Sequence, residues 1–281
     1  MPDLSAIATN IELGPEGLWV SPAVSAISYP ESANEICFGV EDASFWFAHR
    51  NQCILAAIRN LPPPGAFFDV GGGNGYVAKA LQDAGLDVVL VEPGIHGSRN
   101  ARRRGVLQVV CSTLQDAGFC SGVLPGVGLF DVVEHIEDDR AFLSDIRSYL
   151  IPGGRIYLTV PAFRQLWSGE DKAAGHWHRY TLSQICGLLA GSGFQVEYAT
   201  CFFQFLLLPI FFLRALPYSL GISSKNRGPQ AVQRDHQVAN PALQRAIGWL
   251  CRRELRRISS RRRIGLGASC MVVAKKPIPG A

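Results

Sequence analysis

The stretch Asp69-Val-Gly-Gly-Gly-Asn-Gly-Tyr-Val-Ala78 decides the fold, with four glycines between positions 71 and 75. It follows a short apolar run, "AFFDV" (66–70), and leads into a pattern that puts Val77, Ala78 and Leu81 on one helical face before Gly85 stops it. A strand that ends in glycines and turns at once into a helix brings backbone close to a ligand, with no Cβ in the way. The same rhythm continues outward. "DVVLVEP" (87–93) reads as a strand buried on both faces. "VLQVV" (106–110), "GVGLF" (126–130) and "RIYLTVP" (155–161) read as further strands. "DDRAFLSDIRSYLIPGG" places Phe142, Leu143, Ile146 and Leu150 on one face, and "TLSQICGLLAGSG" opens at a capping Thr181. "FQVEYATCFF" and "ASCMVVAKK" complete the strands. Repeated strand–helix units predict an α/β fold, a parallel sheet with helices on both faces.

Two cofactor classes use nearly this glycine loop. A G-x-G-x-x-G/A dinucleotide fingerprint can be read from Gly73, Gly75 and Ala78, with Glu92 at the distance of a ribose ligand. That reading implies an NAD-dependent reductase. Against it, Asp69 stands where a pyrophosphate would meet a carboxylate, and no second mononucleotide half follows. An acid at that place suits a ligand with a cationic group.

The chain resembles the class I S-adenosylmethionine-dependent methyltransferases. The matching residues are Asp69 through Gly75, Glu92-Pro93, "VVEHIED" (132–138) and "PGGRIYLTVP" (152–161), and the resemblance spans about residues 45–200 and the final strand. It implies a Rossmann-like seven-stranded sheet with the last strand antiparallel, an N-terminal helical lid (1–60), and a methyltransferase domain (61–281) carrying an α-helical insertion at about 203–265. S-adenosyl-L-methionine is the implied cofactor. Gly71, Gly73 and Gly75 would approach its methionine part and ribose, Asp69 would lie near the amino group, and Glu92 would accept both ribose hydroxyls. Thr113 and Leu114 would flank adenine, and the backbone near Phe130 would receive the amino group. One departure is Leu124-Pro125, where the family usually has an acid at the start of the fourth strand; proline can begin a strand, so the fold survives.

The methylated substrate is less marked, because methyl transfer asks for alignment and at most a proton acceptor. The polar stretch "WSGEDKAAGHWHRYT" (167–181) offers His176 as a general base, or as a loop residue that only caps the next helix. Asp131, Glu134 and His135 resemble the E-x-x-E-H cluster of ubiquinone-type O-methyltransferases, with which a divalent ion is associated; structural hydrogen bonding is the preferred reading, and no metal is expected. In "SFWFAHRN" (44–51), Arg50 is a candidate for the methionine carboxylate, and Trp46 or Phe47 for the pocket wall; the alternative is an ordinary amphipathic helix with Phe45, His49 and Cys53 on one face.

The insertion holds an uncharged run, "TCFFQFLLLPIFFL", too short for the ~20 residues of a membrane span, and an arginine cluster at 252–263. The run reads as core, as a lid over a greasy substrate, or as an interfacial anchor. Residues 202–213 and 252–263 together suggest peripheral contact with an anionic membrane; the arginines lack interleaved aromatics, which argues against nucleic acid. A formal charge of +4 does not point to nucleic acid either. Eight cysteines without C-x-x-C spacing read as free thiols, and with no signal sequence recognised the expected compartment is the cytoplasm. The expected activity is methyl transfer to a small-molecule or lipid-like substrate. The alternative is a non-catalytic module that keeps the fold and is recruited to a partner or membrane.

Overall fold

A computed structural model describes residues 1–14, 16–23, 38–222 and 240–280. The strands are β1 (Glu12–Leu13), β2 (Trp19–Val20), β3 (Phe67–Val70), β4 (Val88–Val91), β5 (Gln108–Cys111), β6 (Leu124–Phe130), β7 (Leu150–Pro161), β8 (Gln195–Phe202) and β9 (Ser269–Lys275). They form one sheet in the order β1-β2-β5-β4-β3-β6-β7-β9-β8. The block from β2 to β7 is parallel, and β9 runs antiparallel between β7 and β8. An antiparallel strand in that place distinguishes this sheet from the 3-2-1-4-5-6 order of the dinucleotide fold.

Seven strands were expected and nine are present among the described residues. The extra two come from the N-terminal segment, where a short hairpin adds parallel to the edge strand β5. The 1–60 segment is therefore not helical throughout. Its two-residue strands carry too little periodicity to stand out in the sequence. Its longest described helix is α1 (Phe45–Asn60), capped by the Ser44 side chain; residues 24–37 lie outside the described part.

The remaining major helices are α2 (Tyr76–Asp83), α3 (Ile95–Arg103), α4 (Asp139–Tyr149), α5 (Gly169–Ala174), α6 (Leu182–Gly191) and α7 (Pro241–Ser259). Period-two alternation along the strands splits the core into two layers. Phe68, Val89 and Val91 pack on one face with Leu143 and Ile146 of α4 and Ile185 and Leu189 of α6. Phe67, Val88 and Leu90 pack on the other face with Ile54 and Ile58 of α1, Val77 and Leu81 of α2, and Ile258 of α7. Thr181 caps α6 through a reciprocal box with Gln184.

Leu124-Pro125 is tolerated as expected. The β6–β7 register shifts between Leu124 and Gly126, so the proline sits at an irregularity and breaks no regular ladder. The strand β7 begins earlier than the sequence suggests, running through Pro152-Gly-Gly154 from Leu150. The insertion is helical in two described pieces. Leu207–Ile210, a π-turn at Phe211–Ala215 and Leu216–Ser219 follow β8, and α7 precedes β9. The seven described cysteines are free thiols.

Candidate cofactor and substrate site

At the carboxyl ends of β3 to β7 a cavity of about 1350 Å³ opens, where ligands of open α/β sheets bind. Its floor is the glycine loop. The Gly71 amide donates to the Val91 carbonyl at 2.7 Å, fixing the end of β3 against β4. Gly71 has φ +70°, and a Cβ there would lie 2.8 Å from Val132 Cγ2, so only glycine fits. Gly71, Gly72 and Gly73 line the cavity, and Gly75 is absent from its wall. Gly75 instead closes the loop onto α3, since a Cβ would lie 2.7 Å from that of Ala101. Its small size therefore serves helix packing.

Glu92 stands at the end of β4, 7% exposed. Its two carboxylate oxygens accept from the Gly73 and Gly94 amides at 2.9 and 2.8 Å. A carboxylate has about four acceptor sites, so capacity for two hydroxyls remains. Burial raises its pKa, opposed by those two amides. Thr113 and Leu114, which follow β5, also line the cavity, as do Phe130 and the buried Ser112. The Ser112 hydroxyl has no hydrogen-bond partner, and nothing in the sequence singles this serine out.

Asp69 is fully buried at the end of β3. Burial pushes its carboxyl up to about 7, against the positive charge of Arg50 and the Ala78 amide. A nearby ammonium group would offset that cost, which fits a ligand with a cationic group. The raised value has a consequence for stability. The folded protein keeps a proton that the unfolded chain releases near pH 4. This contribution therefore disfavours folding progressively as pH rises from about 4 to 7 and stays constant above. Asp69→Asn is expected to stabilise the ligand-free protein at pH 8, by about 4 kcal/mol at most, and to weaken cofactor binding. Thermal melts of both proteins from pH 5 to 8 check this; a stability difference that does not grow with pH would sink it.

Arg50 reaches the cavity from α1. Its Nη2 pairs with Asp131 Oδ2 at 2.7 Å, its guanidinium lies 5.5 Å from the Trp46 ring centre, and its Nε has no hydrogen-bond partner. The expected carboxylate ligand is thus already paired with a carboxylate, and its remaining donors are what it can offer a ligand. Asp131 has φ +59° and accepts from Thr159 Oγ1 at 2.9 Å. Glu134, in the 3₁₀ turn after β6, is completely buried on the cavity wall, and neither of its carboxylate oxygens has a hydrogen-bond partner. Burial, with the charge of Asp131 beside it, pushes Glu134 well above the usual carboxylate range. The hydrogen-bonding role read from the sequence therefore does not belong to its side chain; only its carbonyl is used, accepting from the Trp177 amide at 2.7 Å.

His176 follows α5 and lines the same cavity. Its Nδ1 lies 2.8 Å from Asp171 Oδ1, which also accepts from Arg179 Nε at 2.7 Å. Burial of Asp171 is outweighed by the hydrogen bonds from His176 and Arg179, and its carboxyl is held at about 2. The Asp171 carboxylate calls for a proton on Nδ1, which in the neutral ring makes Nε2 the acceptor nitrogen. The His135 ring stands 4.8 Å from that of His176 at 79°. Burial and the proximity of His176 lower His135 to about 4, so it is neutral at pH 7. Glu134, His135 and His176 each offer an atom within 4.8 Å of the others, a set that could hold a metal ion.

The structure thus brings Asp69, Gly71, Gly73, Glu92, Thr113, Leu114, Phe130, Arg50 and His176 to one cavity, and places Gly75 behind it. Glu134 as an unpartnered carboxyl and Asp171 as the orienting partner of His176 emerge only in three dimensions.

Sheet order and site geometry define an α/β methyltransferase-like domain. Residues 47–199 match the family model described as methyltransferase domain, more than half of the chain. The chain belongs to that family, the S-adenosylmethionine-dependent methyltransferases of class I. It is 23% identical over 162 residues to a Mycolicibacterium smegmatis protein named "Probable S-adenosylmethionine-dependent methyltransferase", covering 57% of this chain and 63% of that one. Among solved structures it resembles a Thermotoga maritima protein titled a possible histamine N-methyltransferase, with TM-score 0.53 and 15% identity over 87% of this chain and 95% of that one. It also resembles phosphoethanolamine N-methyltransferase 2 of Haemonchus contortus in complex with S-adenosyl-L-methionine, with TM-score 0.53 and 18% identity over 91% of this chain and 61% of that one. At these identities the structural matches speak for the fold.

Proposed function

We propose that the protein transfers a methyl group from S-adenosyl-L-methionine to a small or lipid-like acceptor whose proton is taken by His176. The observation that carries this is the His176–Asp171 pair on the wall of the cavity whose floor is the glycine loop and Glu92. Bound there, the cofactor supplies an activated methyl group on a sulfonium sulfur. Glu92 and the Gly71–Gly73 backbone would hold its ribose and methionine portion, Asp69 would favour its ammonium group, and the unpaired Ser112 hydroxyl adds a hydrogen-bonding group to the wall. Asp171 would fix the imidazole so that Nε2 could accept a proton from the acceptor's hydroxyl or amine. Glu134, whose burial favours the protonated form, would in that form serve as a hydrogen-bond donor.

The acceptor's apolar body is suggested by the other wall. Phe45 and Trp46 from α1 and Leu206, Pro209, Ile210 and Leu213 from the insertion line it, with the Arg214–Glu170 ion pair and Arg50 as the charged groups next to them. Such a wall suits an aliphatic or aromatic molecule with one polar reacting end. The test is S-adenosylhomocysteine release in the presence of fractionated small molecules and lipids. Turnover by apolar fractions is expected; turnover confined to highly polar metabolites would overturn the substrate class and leave the cofactor assignment standing.

A further inference from the structure

The α7 helix and the turn after it carry eight arginines between Arg245 and Arg263 and a single acid, Glu254. Glu254 is buried and committed inward. It accepts from the Phe203 and Gln204 amides at 2.8 and 2.9 Å and pairs with His49 at 2.7 Å. Among the described residues no carboxylate lies within ion-pair distance of any of those arginines. Arg253, Arg256, Arg257 and Arg262, with Trp249 and Ser260, line a shallow surface cleft, and Arg253 lies 5.5 Å from the Trp249 ring centre. An electropositive cleft without internal counter-charge fits an anionic group.

The other half of the insertion supplies a different surface. Leu208, Phe212, Leu220 and Ile222 are 56–74% exposed, and Leu243 and Trp249 on α7 are about half exposed. The two halves are tied together, because Glu254 of α7 holds the backbone at the start of the 204–219 segment. Exposed large aliphatic and aromatic side chains in the same insertion as unpaired arginines are what the boundary between lipid headgroups and acyl chains accommodates. Among the described residues no helix is long and apolar enough to cross a membrane.

We propose that the insertion docks onto an anionic lipid bilayer, with the arginine cleft on lipid phosphates and Leu208 and Phe212 in the acyl boundary. Charge complementarity favours this occupant. A single-stranded nucleic acid would call for stacking platforms along the basic track, and Trp249 is the one aromatic among these arginines. The geometry also gives docking a use. The 204–219 segment that exposes Leu208 and Phe212 lines the catalytic cavity with Leu206, Pro209, Ile210 and Leu213. Docking itself does not depend on the substrate being a lipid.

The test is co-sedimentation of the full chain with phosphatidylcholine vesicles containing 30% phosphatidylglycerol, and with pure phosphatidylcholine vesicles. Binding is expected to the first at 50 mM salt, to fall steeply at 500 mM, and to be weak to the second. Each arginine lost should cost about fivefold in partitioning, so the Arg256→Ala, Arg257→Ala, Arg262→Ala triple variant should lose about a hundredfold. Leu208→Ser with Phe212→Ser should lose at least tenfold. S-adenosylhomocysteine affinity serves as the folding control, and it should match the parent in both variants. The proposal is overturned if the parent stays in the supernatant with anionic vesicles, if either variant binds them like the parent, or if a 20-nucleotide RNA binds while vesicles do not.

Discussion

His176→Ala is expected to lower turnover by ~10²–10⁴-fold, the range for loss of a general base, with cofactor affinity unchanged. The expectation follows from position. The imidazole stands on the cavity wall, and its Nδ1 is bound to a carboxylate held at about 2. Asp171→Asn removes the acceptor that fixes the Nδ1 proton, and turnover should fall here as well. Asp171 also accepts from the Ser168 amide and Arg179, so this variant needs a check that α5 and the neighbouring loop remain folded. Steady-state kinetics separates the alternatives. A small loss in kcat with a large rise in substrate KM would make His176 a binding residue, and parental kinetics would remove it from the site.

The second large effect is on the cofactor. Glu92→Ala should weaken S-adenosylhomocysteine binding by about 1.5–3 kcal/mol, the range for hydrogen bonds to a charged group. That is roughly ten- to a hundredfold or slightly more. Part of this loss is indirect. The carboxylate also holds the Gly73 and Gly94 amides, so its removal releases the loop that forms the cavity floor. Glu92→Gln keeps the side-chain volume and one acceptor oxygen and should fall between the two. Calorimetric titration of the three proteins, with circular dichroism to confirm folding, checks the order. Equal affinities would show that Glu92 does not face the ligand.

Much of the architecture is legible in the residues because strands buried on both faces announce themselves. Val88–Val91 is an uninterrupted aliphatic run of three valines and a leucine closed by Glu92, and Phe67–Val70 runs directly into the glycines. The hairpin of Glu12–Leu13 and Trp19–Val20 is not legible, since two-residue strands have no measurable alternation and depend on an edge supplied by β5. For the site, chain-local motifs could be read and long-range pairs could not. Gly75 looks like its neighbours in sequence, and its close approach to Ala101 of α3 appears only in three dimensions. Arg50 and Asp131 are far apart in the chain, so their ion pair is invisible until α1 is laid over β6. The exposure of Leu208 and Phe212 has the same origin. An apolar run does not say which of its side chains a tertiary fold will cover, and here Phe203 is buried while Phe212 is not.

The central claim is that the cavity at the ends of β3 to β7 binds S-adenosyl-L-methionine through the glycine loop and Glu92. Its most direct test is parallel isothermal titration of the unmodified protein with S-adenosyl-L-methionine and with NADH. One-site saturable binding of the first and no heat from the second is expected. Binding of NADH without binding of the sulfonium cofactor, or no binding of either, would contradict the account.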